Sequence, residues 1–359
     1  MIDPQHAPKA ALPIADDETD ALFDGLLSFN TLLVAVSGGR DSLALLLLLS
    51  RWHDRRKRAG DNVPAMHALT VNHGIRPEAQ EEAAHVATVS ARLQVPHTTL
   101  ELNLSAETAH GGHVSQKRAR DARYAALITH ASNIGVDAIV TGHQREDQAE
   151  TLLMRLARGS GVRGLAGMAT SRPLSVDNHI TLCRPLLDVS RQRLTATLEA
   201  VGTDWRDDPS NENTAFERAR LAAAQHTLDN IGLTATSLSR TSTRLRDADD
   251  ALDWATRQAL RAIPDLNASW YAAAWAALPR ATVRSWPREF RVRALEYLVS
   301  AVSGSFGATA TNPLSRSRLE GLAARIGEEA PFTATFAGCR IMATEHAVQI
   351  CRELGRAGP

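Results

Sequence analysis

The chain has 359 residues, 44% of them hydrophobic, which is enough for two or three domains with sizeable cores. Its 40 basic and 40 acidic residues cancel, so no global positive field advertises a nucleic-acid partner. Three widely spaced cysteines, Cys183, Cys339 and Cys351, form no CxxC pair, which argues against a zinc ribbon or a disulfide framework and fits a reducing compartment.

Residues 1–25 show no basic segment followed by an apolar one, so they read as a flexible acidic extension and not as a secretory signal. Thr31–Ser37 is a short apolar run that ends in glycines, the mark of a buried strand. Ser42 to about Arg58 reads as a helix. Its run Leu43–Leu49 is far too short to cross a bilayer, so no membrane role is expected. Ala65–His73 is a second strand, and Pro77 to about Leu93 a helix with proline and acids near its start. His97–Leu102 is a third strand, followed by an Arg-rich helix from Ser115 to about Asn133. Asp137–His143 is a fourth strand and Glu146–Leu156 its helix. A fifth strand is expected near Leu182–Leu187, before a helix over Ser190–Val201. This alternation predicts an α/β fold, a doubly wound parallel sheet covered on both faces.

The pattern changes after about residue 225. Residues 226–300 read as a helical domain, and residues 301–359 as a small C-terminal region with short strands over 331–352. The catalytic domain is therefore expected over 26–225. Arg280–Arg293 holds five Arg and one Glu, either a solvated helix face or a surface for phosphate backbone.

The chemistry concentrates in two places. Ser37-Gly38-Gly39-Arg40-Asp41-Ser42 lies between a strand and a helix. Glycine lets the backbone turn and approach a ligand, and free N–H groups at a helix start bind anions. Asp41 is suited to a divalent cation bridging phosphate oxygens. The loop is neither a Walker A sequence nor GxGxxG. The second cluster, His143 to Glu150, follows the fourth strand. Asp147 and Glu150 are three apart and share a helix face, and His143 can move a proton. With strand order 3-2-1-4-5 the two clusters face each other where the order reverses.

SGGRDS resembles the SGGxDS signature of PP-loop ATP pyrophosphatases, which implies an adenine nucleotide alpha-hydrolase-like fold and cleavage of ATP to AMP and pyrophosphate. Four further stretches, within residues 30–221, are similar to the tRNA(Ile)-lysidine synthases. They are VNHGIRPEAQEEA (Val71–Ala83), RARDARYAAL (Arg118–Leu127), GHQREDQAETLLMRLARGSGVRGLAGM (Gly142–Met168), and RPLLDVSRQRL with DWRDDPSNENTAFERARL (Arg184–Leu194, Asp204–Leu221). The resemblance implies a ligase that uses ATP to adenylate C2 of the wobble cytosine in an isoleucine tRNA with a CAU anticodon. Free L-lysine then displaces AMP to give lysidine.

By the same resemblance, Ser37–Ser42 (Ser37, Gly38, Gly39, Arg40, Asp41 and Ser42) hold the ATP phosphates and Asp41 the Mg2+. Arg123 steadies phosphate or the adenylate, and Asp147 and Glu150 hold lysine's amine. Arg158 and Arg163, and further on Arg218 and Arg220, are the candidate tRNA contacts, and a cytoplasmic location is implied. Asn72 departs from the family's usual Asp, Glu146 from its frequent Asp, and RARLAAAQH after Glu217 lacks basic residues usual there. A PP-loop thiolation enzyme, an amide-forming synthetase and a non-catalytic ATP-binding protein remain as alternatives.

Overall fold

The computed structural model describes residues 11–72, 78–102, 116–174, 179–206, 217–263, 266, 275–303, 315–328 and 330–353. Two compact units emerge, Met1–Leu245 and Arg246–Pro359. The division falls within one long helix.

In chain order the first unit comprises α1 (Glu18–Phe23), β1 (Thr31–Ala35), α2 (Arg40–Arg58), β2 (Ala65–Asn72), α3 (Glu78–Arg92), β3 (His97–Glu101) and α4 (Gln116–Asn133). β4 (Ala138–Thr141), α5 (Arg145–Ala157), α6 (Val162–Leu165), β5 (Ser171–Pro173), β6 (Thr181–Cys183), α7 (Arg191–Glu199) and α8 (Glu217–Asn230) follow. Helix α9 (Ala235–Arg261) begins here and runs into the second unit. The sheet order is β3-β2-β1-β4-β6-β5, and all pairs are parallel except β5 with β6. The expected order is thus present, with one antiparallel edge strand added.

β1 is apolar without alternation because both its faces are covered. Leu32 and Val34 enter a core with α2, α3 and α7, while Leu33 enters the opposite core with Leu127 and Ala131 of α4. Leu43 to Leu49 are all buried, so this stretch of α2 is apolar all round; the helix lies between the sheet and the helices α1 and α7.

From residue 11 onward the amino-terminal stretch is not a free extension, which corrects the sequence reading. Ile14, Phe23 and Leu26 are buried in the first core. Ile14 N donates to Thr197 Oγ1 at 3.0 Å. Arg193 grips Glu18 through two hydrogen bonds of 2.8 and 2.7 Å, which holds that carboxyl down to about 2. Arg55 likewise donates to both oxygens of Asp20 at 2.9 and 2.6 Å, which lowers that carboxyl from its ordinary range. The acids that suggested a solvated tail are the partners of these arginines.

The second unit carries β7 (Trp275–Pro279), α10 (Arg280–Ser285), α11 (Arg288–Ser303), α12 (Arg316–Gly327), β8 (Phe332–Phe336), β9 (Cys339–Ala343) and β10 (Ala347–Arg352). Its sheet, β7-β10-β9-β8, is antiparallel. Trp275–Pro279, placed by composition in a helical stretch, is therefore an edge strand. Two arginines of the run Arg280–Arg293 are structural. Arg280 is 1% exposed and donates to the carbonyls of Thr344, Glu328 and Ala330 at 2.7, 2.6 and 3.0 Å. Arg293 is fully buried among Asp249, Asp253 and Glu289. The run is neither one solvated face nor one continuous phosphate surface.

Three histidines cluster about β2 and β3, His67 and His130 on the α4 side of the sheet and His97 on the opposite face. His67 Nε2 lies 2.9 Å from Thr98 Oγ1, His97 Nε2 lies 2.9 Å from Thr70 Oγ1, and the His67 and His130 rings are 6.0 Å apart. Burial, then the neighbouring ring, holds His67 and His97 below the ordinary histidine value of 6.5. The folded state thus favours the neutral rings. Their contribution is complete above pH 6.5 and is lost as pH falls below it, because the unfolded chain takes up protons first. Melting temperature is expected to fall on acidification through this window. The double variant His67→Gln, His97→Gln should show a shallower fall; an unchanged slope would contradict the assignment.

Candidate active site

β1 and β4 are neighbours, with Leu32 paired to Ala138 and Ala35 to Thr141. The chain leaves β1 toward β2 and β3, then returns to the other side of β1. At that reversal the turns after β1 and β4 stand side by side, outside the carboxyl ends of the strands.

The first turn is held by its serines. Ser37 N donates to Ser42 Oγ at 3.1 Å, the two hydroxyls are 3.2 Å apart, and Ser42 Oγ donates to Gly39 O at 2.9 Å. Gly38 has φ +81°, a left-handed conformation that glycine adopts without strain. Gly39 caps α2 with extended backbone and no side chain, so the first amides of α2 face the turn unobstructed. Arg206 N donates to Gly38 O at 3.0 Å and His85 Nε2 lies 2.8 Å from Asp204 O, so residues 204–206 close one side of the loop.

The second turn packs directly on the first. A Cβ on Gly142 would stand 2.7 Å from Asp41 O and 3.0 Å from Ser42 N, so only glycine admits this approach. His143 Nδ1 then lies 2.9 Å from Thr141 Oγ1. Gln144 begins a capping box: its side chain accepts from Glu146 N at 2.6 Å, and Asp147 Oδ2 accepts from Gln144 N at 3.1 Å. One Asp147 oxygen is therefore engaged in holding α5. Glu146 Oε2 accepts from Arg191 N at 2.9 Å at the start of α7. Glu150 Oε1 stands 3.9 Å from Arg191 Nη2.

The electrostatics bind the two turns into one site. Burial raises the Asp41 carboxyl above its usual range; Arg40, whose Nε donates to Asp41 Oδ1 at 3.0 Å, opposes that rise, while repulsion from Asp147 adds to it and Arg191 opposes it. Arg40, which the resemblance groups with the ATP-phosphate loop, therefore has Asp41 as its partner in this structure. A partly buried carboxylate with a second one in its field suits a cation that also binds phosphate oxygens, since Mg2+ needs only one or two carboxylates beside the nucleotide. Among the described residues no group of three or more potential ligands forms a protein-only metal site.

The glycine-rich loop after α5 is fixed from within. Buried Gln148 donates to Met168 O at 2.9 Å and accepts from Met168 N at 2.7 Å. Arg155 Nη1 donates to Gly164 O and Gly167 O at 2.7 and 2.9 Å. Gly167 has φ +71° and lies against Gln148. The loop's other arginines, exposed Arg158 and half-buried Arg163, are placed beside α5. Arg123 is exposed on α4, a helix that packs on β2 and β4 and carries neither of the two turns. Arg220 is exposed on α8. Arg218 lies in the same helix, with its side chain outside the described residues, as are 73–77 and Asp208–Asn211. Asn72 is buried at the end of β2, where its carbonyl accepts from Leu102 N at 2.7 Å. Gln144, Gln148 and Arg191 are the site residues that sequence reasoning missed. Their signal was present: uncharged polar residues at the start of α5, and an arginine opening the helix after RPLL.

A family model described as a PP-loop domain matches residues 13–225. The tRNA(Ile)-lysidine synthase of Bradyrhizobium sp. strain BTAi1 is 43% identical over 242 residues, covering 67% of this chain and 64% of that protein. The tRNA(Ile)-lysidine synthase of Bradyrhizobium diazoefficiens is 39% identical over 301 residues, covering 81% of this chain and 78% of that one. The chain belongs to the tRNA(Ile)-lysidine synthase family. Among solved structures, the U34-tRNA thiolase NcsA of Methanococcus maripaludis superposes with a TM-score of 0.52 at 18% identity, over 64% of this chain and 79% of that one. That likeness shows the shared fold alone. As PP-loop enzymes, members of the family use ATP, and no helix among the described residues is long and apolar enough to cross a membrane.

Gly142→Ala tests the contact on which the site depends. The added methyl must push the two turns apart, which is expected to cost about 1–3 kcal/mol in denaturant unfolding. It should also weaken ATP binding while far-ultraviolet circular dichroism stays native. Unchanged ATP binding would show that the turns need not touch.

Proposed function

We propose that the crevice between the two turns converts the wobble cytidine of an isoleucine tRNA with a CAU anticodon to lysidine. Family membership supports the overall reaction, and the Gly142–Asp41 contact is the observation that carries the division of labour. ATP is read into the first turn, its phosphates on the Ser37–Ser42 loop and the amides of α2. The C2 carbonyl oxygen of the cytosine attacks the α-phosphate, and pyrophosphate leaves. The ε-amine of L-lysine then attacks C2, AMP departs, and the amine gives up its proton. Asp41 would hold Mg2+, whose positive charge would favour loss of pyrophosphate.

The second turn is read as the amine site. Asp147 and Glu150 face the same side of α5 and attract the ammonium of incoming lysine. His143 is assigned the proton of the attacking amine. Arg123 is assigned to phosphate or adenylate, and Arg158, Arg163, Arg218 and Arg220 to the RNA. Residues 226–300 are proposed to add tRNA contacts through their exposed arginines, Arg284 and Arg288 among them. Free lysine, ATP and tRNA are cytoplasmic solutes, so the cytoplasm is the proposed place of action. Thiolation lacks support in the site: Cys183 is buried in β6, and burial pushes its thiol up, away from a reactive thiolate.

Purified protein with ATP, Mg2+, lysine and the unmodified tRNA is expected to produce lysidine, detected by mass spectrometry of the digested nucleosides. No mass gain under these conditions would overturn the ligase reading. Asp41→Ala should lower tRNA-dependent AMP release on the order of 100-fold or more with the fold retained. Wild-type turnover in that variant would remove Asp41 from the site.

A further inference from the structure

Three arginines are buried among the described residues, Arg184, Arg280 and Arg293. Two are compensated. Arg293 is surrounded by three carboxylates, which drive its basicity up despite burial. Arg280 is engaged by backbone carbonyls at the ends of α12 and β9. Arg184 differs. It is 4% exposed, its Nη1 donates to Ala169 O at 3.0 Å, and its Nε has no partner. Burial lowers its basicity, the charges of Arg172 and Arg120 lower it further, and only Tyr124 acts the other way.

The neighbours are as unbalanced as Arg184 itself. Arg172 lies on β5, paired in register with Leu182, and Arg120 sits 5.2 Å over the ring of Tyr124 on α4. None of the three forms an ion pair with a carboxylate among the described residues. A buried guanidinium without a counter-charge is costly, and two more cations beside it raise the cost. Such a cluster is relieved by an anion, and guanidinium groups match the planar, bidentate geometry of phosphate.

Its position tells which phosphate. Arg184 follows Cys183, whose carbonyl accepts a 3.4 Å hydrogen bond from Thr141 Oγ1 at the end of β4. The cluster is thus at the carboxyl edge of the sheet, beside the turn of His143. β4 separates it from β1, so it lies two strand spacings, roughly 10 Å, from the loop that takes the phosphates of ATP. We propose that Arg120, Arg172 and Arg184 bind a phosphodiester of the RNA substrate beside the reacting nucleotide. This rests on the RNA-modifying reading and extends it to residues outside the two turns.

Arg120 is exposed and Arg172 half-buried, so their variants leave the core intact. Arg120→Gln, Arg172→Gln and the double variant are compared with the full wild-type chain. Affinity for the unmodified isoleucine tRNA transcript is measured over a salt series, with the KM for ATP and the melting temperature with and without inorganic phosphate. Each single variant should bind the tRNA several-fold more weakly. In the double variant the slope of log affinity against log salt should shrink by up to about 0.7, the share of one phosphate of a single-stranded loop. Melting temperature should hold or rise, because like-charge repulsion is relieved, and the KM for ATP should not move. Unchanged tRNA affinity and slope would overturn the proposal, as would a raised KM for ATP with tRNA binding intact. Failure of the wild-type protein itself to bind the tRNA would defeat the RNA-modifying reading, and this site with it.

Discussion

The backbone of the first turn of α2 lies against Gly142, and the rest of the site depends on that contact. A side chain at residue 142 would overlap the Asp41 carbonyl, so the two turns approach as closely as backbones can. The approach requires β1 and β4 to be neighbours, which the parallel register provides. It also brings Asp41 into the field of Asp147 across the crevice. A nucleotide held by the first turn is therefore presented to the side chains of the second without any intervening element. Proximity of this kind can supply a large share of a two-substrate reaction's acceleration.

Charge is distributed in the first unit so that each part has a separate task. The arginines of α2 and α7 hold the amino-terminal segment through Asp20 and Glu18. Arg191 crosses from α7 to the acids of α5, fixing the second turn from behind. Arg155 and Gln148 tie down the glycine-rich loop from within. A formal charge of zero hides this arrangement completely. Local pairing decides what each arginine does, and the cluster around Arg184 stands out because its charges repel one another.

Most of the first unit is legible in the sequence, because its signals are local. A strand buried on both faces must be apolar throughout, as TLLVA is, and a phosphate turn must carry glycine where φ is positive, as Gly38 does. The carboxylates of α5 are visible from their spacing. What the sequence conceals depends on distant partners. Asp147 reads as a free carboxylate, yet one oxygen caps its own helix. Acids in residues 16–24 read as a solvated tail until Arg55, Arg56 and Arg193 are brought to them. Arg280 and Arg293 read as surface charge, and only the fold of the second unit supplies the carbonyls and carboxylates that bury them. Trp275–Pro279 is too short to declare itself a strand before β10 pairs with it.

The central claim is that the crevice activates the RNA base before the amine arrives. Exchange of labelled pyrophosphate into ATP tests it directly, with protein, Mg2+ and the unmodified tRNA present and lysine left out. The account predicts exchange that depends on the tRNA and needs no lysine, since a bound base adenylate can be reversed by pyrophosphate. Exchange that requires lysine and proceeds without tRNA would contradict it, because the group activated by ATP would then be the amino acid.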